Sequence, residues 1–268
     1  MIDYEIREYA GDDIPAMFAL WQAVFGDPDA FISAFLRLLP RIGTAVVAVA
    51  GGEIVGAAYV ITALELCQGP VRQTCGYVYG VAVREELRRC GIGAALVRSV
   101  CTLGRQRGAA VCGAQPAGAE LIQWYRSVSP LRDPLCRRTL ETPCRPTRTV
   151  TRLSPAEYLL RRQALCPDRL CLRPSAAVTE LLDAACTVFG GGLFACVDGI
   201  AAAFREGDTA VFYEVLPWSE ARQSVAAAVG CAMGCAQSRY FVPDPRGTPF
   251  LLFDAPLPQS LDFPFTFA

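Results

Sequence analysis

The stretch "VAVREELRRCGIGAAL", residues 81–96, decides how the first half of the chain is interpreted. It begins as an apolar run typical of a strand and ends in an apolar pattern typical of a helix. Between the two lie Arg88, Arg89, Gly91 and Gly93. A glycine pair at such a junction can be no more than a tight corner. It can also be an anion site, because a helix N-terminus exposes unpaired backbone N–H groups that glycines leave accessible.

The length and net charge of the chain limit its number of domains and the kind of partner that it can attract. The chain has 268 residues, of which 53% are hydrophobic, enough for one large or two small globular domains. Its 25 basic and 26 acidic residues give a formal net charge of −1. This balance predicts no general attraction to nucleic acid or to an anionic membrane, so any anion site is local.

Three residue types are missing, since the chain has no histidine, no lysine and no asparagine. Without histidine there is no Ser-His-Asp triad and no His-ligated zinc, and without lysine there is no Schiff base. Proton transfer in this protein therefore falls to a carboxylate, a tyrosine, a cysteine or water.

The 13 cysteines are an odd number, and the start "MIDYEIREYA" is not a signal peptide. We therefore expect reduced thiols and a cytoplasmic protein. No CxxC motif occurs, and the closest spacings are Cys231/Cys235 and Cys166/Cys171. We expect no metal site. The apolar runs fall short of the roughly 20 residues of a membrane helix, so no membrane span is expected.

The segment before the motif is predicted to contain a strand, two helices and a hairpin. These are a strand in "YEIREYAG" (4–11), a helix capped by Asp12 or Asp13 and ended by Gly26, a helix from Asp27-Pro28 to Pro40, and a hairpin around Gly51-Gly52.

A strand over 73–83 then leads into the motif and places Tyr77, Tyr79, Val81 and Val83 on one face. A helix follows the glycine turn, and a strand over 109–114 precedes a helix over 119–128. This order predicts an α/β (α+β) domain at residues 1–145.

The motif itself reads R-x-x-G-x-G-A over residues 88–94. It lacks the third glycine of GxGxxG and the lysine of the Walker loop. It resembles the acetyl-CoA signature of the GNAT superfamily of N-acetyltransferases, R/Q-x-x-G-x-G/A. "WYRSVSP" at 124–130 is similar to the family's "FYEKLGF", but Ser129-Pro130 replaces Gly-Phe, so the helix end is expected to differ. The resemblance implies a mixed, mostly antiparallel sheet flanked by helices.

The resemblance also implies a CoA site. Its pyrophosphate would lie on the backbone amides of Arg88, Arg89, Cys90, Gly91, Ile92, Gly93 and Ala94. The pantetheine arm would follow the strand edge at Val81, Ala82 and Val83, where the sheet splays. Tyr125 would return a proton to the leaving thiolate.

The sequence identifies the general base and the binding site of the amine acceptor less closely than it identifies the CoA site. The general base is Tyr77, Tyr79, Glu65 or a chain of water molecules. Tyr77 and Tyr79 are also expected to line the acceptor pocket. Asp27, in the loop between the first two helices, either binds a cationic amine or caps the helix that starts at Pro28.

The second half is predicted to form a smaller α+β domain at residues 150–268. Residues 130–152 are interpreted as a final strand pair and a linker, with a solvated arginine-rich surface. A capping box at Ser154 and Glu157 starts a helix, and three strands, a helix and a strand follow. This repeats the order of the first half, although "LPWSEARQS" retains neither glycine. The domain is either a degenerate GNAT copy that does not hold CoA or an unrelated α+β domain.

Two functions are consistent with these features. The first is an N-acetyltransferase that uses acetyl-CoA on an amine of a small molecule or peptide. The second is a catalytically inactive, CoA-binding regulatory or scaffold protein. The second domain would complete the acceptor pocket, mediate homodimerisation or carry a regulatory ligand, and the terminal "FPFTFA" is expected to pack as an edge strand.

Overall fold

A computed structural model describes residues 3–146, 149–166, 171–258 and 260–261. These residues form two compact units. The first contains residues 3–66, Arg72–Leu135 and Pro249–Leu257, and the second contains Cys67–Val71 and most of Cys136–Thr248. The predicted edge strand "FPFTFA" lies outside the described residues. No helix in the described ranges is long and apolar enough to cross a membrane.

The described residues form a mixture of helices and strands. The first part contains β1 (Glu5–Glu8), α1 (Ile14–Phe25), α2 (Asp29–Ile42), β2 (Gly43–Ala50), β3 (Glu53–Gln68), β4 (Val71–Val83), α3 (Ile92–Gln106), β5 (Val111–Ala114), α4 (Ala119–Val128) and β6 (Asp133–Pro143). The second part contains β7 (Thr151–Arg152), α5 (Pro155–Leu165), β8 (Cys171–Pro174), α6 (Ala176–Val188), β9 (Gly192–Cys196), β10 (Gly199–Glu206), β11 (Thr209–Leu216), α7 (Ala221–Ala232), β12 (Gln237–Pro243) and β13 (Thr248–Phe253).

The sheet of the first unit has the strand order β1-β2-β3-β4-β5-β13. The pairs β1–β2, β2–β3 and β5–β13 are antiparallel, whereas β4 and β5 are parallel and are connected through α3. This confirms the predicted fold class, a mixed and mostly antiparallel sheet flanked by helices. The strand that pairs with β5 comes from the C-terminal part of the chain, which the sequence did not predict.

The helix α3 packs closely on one face of this sheet. Val60, Val78, Leu96 and Val100 belong to one buried apolar cluster on that face. A Cβ atom at Gly104 of α3 would lie 3.2 Å from a methyl group of Val60. The glycine therefore allows the helix to approach the sheet closely, which positions the N-terminus of α3 against β4.

The turns of the first unit follow the sequence signals closely. Gly51 and Gly52 have φ angles of 59° and 82°, which the tight hairpin between β2 and β3 requires. Gly26 ends α1 in the left-handed region at φ 68°. Both observations confirm the predicted turns.

The predicted end of α2 was wrong, because the helix continues through Pro40 to Ile42. Proline cannot donate a backbone hydrogen bond, but near the C-terminus of a helix its effect is confined to the last turn. The interpretation of Asp27 as a helix cap was also wrong. Pro28 occupies the N-cap position of α2, and no side chain caps that helix.

The sheet of the second unit has the order β6-β12-β11-β10-β9-β7. Here β11 and β12 are parallel and are connected through α7, as β4 and β5 are through α3. Two helices, a hairpin, a strand, a helix and a parallel strand thus occur in the same order in both units. The predicted strand pair near residue 133 was wrong. The segment 133–143 has no turn dipeptide, and it forms the single strand β6, antiparallel to β12.

A buried ion pair stabilises the second unit. Arg162 of α5 donates to both carboxylate oxygens of Glu214 on β11, at distances of 2.8 to 3.0 Å. The hydroxyl group of Tyr158 donates to the same carboxylate at 2.7 Å. The capping box predicted at Ser154 and Glu157 starts this helix and is confirmed.

Candidate active site

The predicted phosphate loop lies between β4 and α3. A 3-10 turn over Glu85–Leu87 leads from the strand to Arg88, and Gly91 is the N-cap residue of α3 with φ 84°. Arg89 has φ 65° and is the single non-glycine residue with positive φ in the described part of the chain. A non-glycine residue in the left-handed region is strained, and such strain is concentrated at functional sites.

The first turn of α3 is open to a ligand. No side chain caps it within the described ranges, so the N–H groups of Ile92, Gly93 and Ala94 point out of the helix without a capping partner. A Cβ atom at Gly91 would meet nothing within 4 Å. The helix end therefore has the unpaired donors and the partial positive charge that an anion requires.

Three exposed side chains surround this helix end: Arg88, Arg89 and Cys90. The Nε atom of Arg88 lies 3.4 Å from the carbonyl oxygen of Val83. Neither arginine forms an ion pair with a described residue. Both guanidinium groups are thus available for charge-assisted hydrogen bonds to an anion.

The second glycine of the motif has a different surrounding. A Cβ atom at Gly93 would lie 3.4 Å from Cζ2 of Trp124 and 3.7 Å from a methyl carbon of Val83. These are ordinary van der Waals distances, so alanine also fits at this position. The ring of Trp124 in turn packs edge-on against the ring of Tyr125, with centroids 4.9 Å apart. The helix end and Tyr125 are therefore connected through one tryptophan.

The edge of β4 opens next to this loop. The parallel pairing with β5 runs from Cys75↔Val111 to Val78↔Ala114, whereas β4 continues to Val83. Val81 and Val83 are half-buried, and Ala82 is buried. Beyond Val78, the backbone on the β5 side of the strand is free of that ladder. This is the V-shaped opening that the resemblance implies.

Tyr125 lies in the last part of α4 and has an exposed fraction of 7%. Burial raises the pKa of its hydroxyl group above the ordinary tyrosine value. That hydroxyl group has no hydrogen-bond partner among the residues that the structure describes. Tyr125 is therefore protonated at neutral pH and has a donor available for a ligand.

The end of α4 differs from a glycine-terminated helix, as its sequence predicted. Ser129 has an extended backbone, and its hydroxyl group donates to the carbonyl oxygen of Tyr125 at 2.7 Å. Its hydroxyl oxygen accepts a hydrogen bond from the N–H group of Leu131 at 3.3 Å. The serine side chain thus supplies hydrogen bonds that stabilise this helix end.

An aromatic cluster covers the face of β4 opposite α3. We use this name for Trp21, Phe31, Phe35, Tyr59, Tyr77 and Tyr79, whose ring centroids lie 4.8 to 6.4 Å from those of neighbouring members. Gly80 follows Tyr79 with φ 57°, and a Cβ atom there would lie 3.0 Å from the ring of Tyr59. Val81 and Val83, by contrast, pack against the apolar cluster on the α3 side. The prediction that they share a face with Tyr77 and Tyr79 was wrong, because Gly80 interrupts the alternation of the strand.

The carboxylate of Asp27 lies at the edge of this cluster. It accepts a hydrogen bond from the indole Nε1 of Trp21 at 2.7 Å. Asp27 is half-buried, and Phe25 nearby has an exposed fraction of 45%. The arrangement presents a fixed negative charge next to aromatic surface, which suits a cationic amine with an apolar body.

The three side chains predicted as candidate general bases differ in their surroundings. Glu65 forms a solvent-exposed ion pair with Arg72, with 3.4 Å between the charged atoms. Tyr77 is buried in the aromatic cluster, and Tyr79 is half-buried. In the described ranges, no group of three or more cysteine, aspartate and glutamate side chains is placed to hold a metal ion.

Sequence reasoning missed three residues at this site. Gly80 has positive φ within a strand, and an isolated glycine in a strand pattern is a signal for such an irregularity. Trp124 connects α4 to the start of α3. Gln115 follows β5, and its buried Oε1 atom lacks a hydrogen-bond partner.

Comparisons with known proteins bear on the fold and the family of this part of the chain. Residues 5–127 match the family model described as an acetyltransferase (GNAT) domain. No curated protein sequence matches the chain significantly.

Several solved structures share the fold over nearly the whole chain. A GCN5-related N-acetyltransferase from Kribbella flavida is 14% identical, with a TM-score of 0.67 over 94% of this chain and 70% of that one. One from Anabaena variabilis is 13% identical, with a TM-score of 0.66 over 94% and 72%. Eis1 from Mycobacterium abscessus is 19% identical, with a TM-score of 0.60 over 93% and 73%. At these identities the similarity establishes the fold.

Proposed function

We propose that the protein transfers an acetyl group from acetyl-CoA to an amine, on the premise that residues 5–127 match the family model of an acetyltransferase (GNAT) domain. The observation that carries the proposal is the uncapped N-terminus of α3, with Gly91 in the left-handed region, directly beside the unpaired edge of β4. An anion site next to a free strand edge suits a long ligand with a phosphate group and an amide-containing arm.

The donor would bind through main-chain groups. The pyrophosphate would accept hydrogen bonds from the N–H groups of Ile92, Gly93 and Ala94, and Arg88 and Arg89 would add charge-assisted bonds. The pantetheine amides would pair with the edge of β4 at Val81, Ala82 and Val83. Cys90 would lie beside the phosphates and contribute its backbone N–H group.

The chemical step is the attack of a neutral amine nitrogen on the thioester carbonyl carbon. The C–N bond forms, the C–S bond breaks, and the sulfur leaves as a thiolate that must be protonated. Tyr125 suits this role because its hydroxyl group is protonated at neutral pH and has no hydrogen-bond partner among the described residues. Positioning of the two substrates supplies much of the remaining acceleration.

The acceptor would bind on the aromatic side of β4. The half-buried ring of Tyr79 and the exposed ring of Phe25 offer apolar contacts. Asp27 attracts the amine in its ammonium form, before the amine loses a proton. A water chain is the base that we favour, because Glu65 is paired with Arg72 and Tyr77 is buried. The proposed acceptor class is an amine of a small molecule or peptide with an apolar side.

The second unit would be a degenerate copy of the same core. The shared element order and the parallel pair β11–β12 support this interpretation. The turn after β11 has the sequence "PWSE" and contains no glycine, so it lacks the open loop found before α3. We propose that this copy does not bind CoA.

Turnover tests the proposal against the alternative of an inactive CoA-binding scaffold. The wild-type protein is incubated with acetyl-CoA and a panel of arylalkyl and peptide amines, and N-acetyl product is measured by mass spectrometry. CoA affinity is measured separately by calorimetry. Product formation supports the enzyme, whereas CoA binding without product from any amine supports the scaffold.

Two variants test whether CoA binds at the loop before α3. Gly91→Glu places a carboxylate in the open space at the helix end, and we expect CoA binding to be lost. Gly108→Glu is the matched control, since Gly108 also has positive φ, at 90°, with nothing within 4 Å of a Cβ atom. Equal CoA affinity in the two variants would remove the phosphate loop from the proposal.

A further inference from the structure

Gln115 has a buried polar atom that forms no hydrogen bond with a described residue. Its side-chain Oε1 is inaccessible to solvent and has no hydrogen-bond partner. In the part of the chain that the structure describes, the indole nitrogen of Trp218 is the only other side-chain atom in this condition. Buried polar groups are nearly always paired, because an unpaired one destabilises the folded state. An unpartnered carbonyl oxygen just beyond the point where the β4–β5 ladder stops therefore points to a ligand.

The strand register places Gln115 at the mouth of the opening between β4 and β5. The last parallel pair is Val78↔Ala114, and Gln115 is the next residue along the chain. Val78 and Ala114 both belong to the apolar cluster on the α3 side. Continuing the alternation of β5 by one residue beyond its end at Ala114 places Gln115 on the opposite face.

That opposite face carries the aromatic cluster. The pair before the last is Tyr77↔Gly113, and Tyr79 follows on β4 as Gln115 follows on β5. Gln115 is thus next to the acceptor side of the cleft, whereas the pantetheine arm would run along the edge of β4. A neutral carbonyl oxygen accepts a hydrogen bond from an N–H donor.

We propose that Gln115 binds the acceptor amine through its side-chain carbonyl group, which accepts a hydrogen bond from the amine N–H. This inference rests on the proposed function and deepens it. The bond orients the nitrogen so that its lone pair faces the thioester. A neutral primary amine has two N–H groups, one for Gln115 and one for the proton that leaves. A neutral secondary amine has a single N–H group for both purposes, so the site selects primary amines.

The test pairs three variants with two amines. Gln115→Leu removes the carbonyl at nearly the same volume, Gln115→Glu keeps an acceptor oxygen, and Gln123→Leu changes an exposed glutamine on α4 as a control. The probes are 2-phenylethylamine and its N-methyl analogue, with acetyl-CoA at saturation. The readouts are kcat/KM for each amine, the CoA affinity and the melting temperature.

We expect Gln115→Leu to lower kcat/KM for the primary amine about fivefold to tenfold, the value of one lost hydrogen bond. The preference for the primary over the N-methyl amine should shrink by the same factor. CoA affinity should be unchanged. The melting temperature should be unchanged or higher, because a buried polar atom without a hydrogen-bond partner is removed. Gln115→Glu should recover part of the preference, and Gln123→Leu should equal wild type.

Two other outcomes overturn the inference and leave the proposed function valid. A third outcome separates the failure of one from the failure of the other. If wild type acetylates the amine and Gln115→Leu has the same preference, Gln115 does not bind the acceptor. If Gln115→Leu weakens CoA binding instead, its carbonyl group faces the pantetheine arm. If wild type forms no product, the proposed function fails, and calorimetry of the amine with the CoA complex decides the inference. Weaker amine binding in Gln115→Leu supports it, and equal or undetectable binding refutes it.

Discussion

The hydroxyl group of Ser129 donates a hydrogen bond to the carbonyl oxygen of Tyr125 at 2.7 Å, and the N–H group of Ser129 donates to the same oxygen at 3.0 Å. Ser129 is buried. The residue proposed as the general acid is therefore held at its main chain by the residue that ends α4. In this chain a serine side chain supports the helix end where the family sequence has glycine.

Ser129→Ala should destabilise the protein by about 1 kcal/mol, because the carbonyl of Tyr125 and the N–H group of Leu131 each lose a buried partner. Ser127→Ala is the control, since Ser127 makes a similar bond, to the carbonyl of Trp124, in an exposed position. Urea unfolding measures both variants. Equal losses would show that the Ser129 hydroxyl has no special role.

The two glycines of the loop should respond differently to alanine. Gly91→Ala should cost about 1–2 kcal/mol, because alanine is strained in the left-handed region. Gly93→Ala should be neutral or stabilising, since its Cβ has room beside Trp124 and alanine favours a helix. Thermal unfolding of each variant is the measurement. A larger loss at Gly93 than at Gly91 would contradict the loop geometry.

The buried ion pair of the second unit gives a test of coupling. Arg162→Met should destabilise by about 3–5 kcal/mol, because it leaves the Glu214 carboxylate buried without its cation. Adding Glu214→Leu should recover much of this loss, since the uncompensated charge is then removed. A double-mutant cycle in urea measures the coupling. Additive losses would mean that the two side chains act independently.

Stability should fall in alkaline solution because buried tyrosines resist ionisation. Burial raises the pKa of Tyr59 and Tyr125, so the unfolded chain releases these protons first, near pH 10. The folded-state pKa is the higher one, so this stability is fully present below about pH 10 and is lost as the pH rises. Urea midpoints across this range measure it. Tyr59→Phe should flatten the decline, and an unchanged slope would exclude Tyr59 as its cause.

Local signals predicted the loop and the turns because they depend on a few adjacent residues. Gly26, Gly51 and Gly91 occupy positions that require positive φ, and each lies where its sequence context indicated. The aromatic positions on α1, α2 and β4 recur at the spacing of one face. These patterns are sufficient to predict the strands β1 to β5 and the strand-to-helix junction.

Long-range pairing was not predictable in the same way. The strand β13 pairs with β5 across more than one hundred residues of sequence. The strand β6 pairs with β12 instead of folding into a hairpin. Each of these strands pairs with the sheet edge that is available after folding. The residues next to it in the sequence do not determine which edge that is. The role of Gln115 depends on the same register, which explains why the sequence did not reveal it.

The central claim is that acetyl groups pass from acetyl-CoA to an amine at the cleft beside Tyr125. The most direct measurement uses acetyl-CoA with a deuterated acetyl group and an arylalkyl amine, and compares wild type with Tyr125→Phe by mass spectrometry. The account predicts a deuterated N-acetyl product with one free CoA per product, and turnover at least about 100-fold lower in Tyr125→Phe at unchanged CoA affinity. Unlabelled product, or equal turnover by the two proteins, would contradict it.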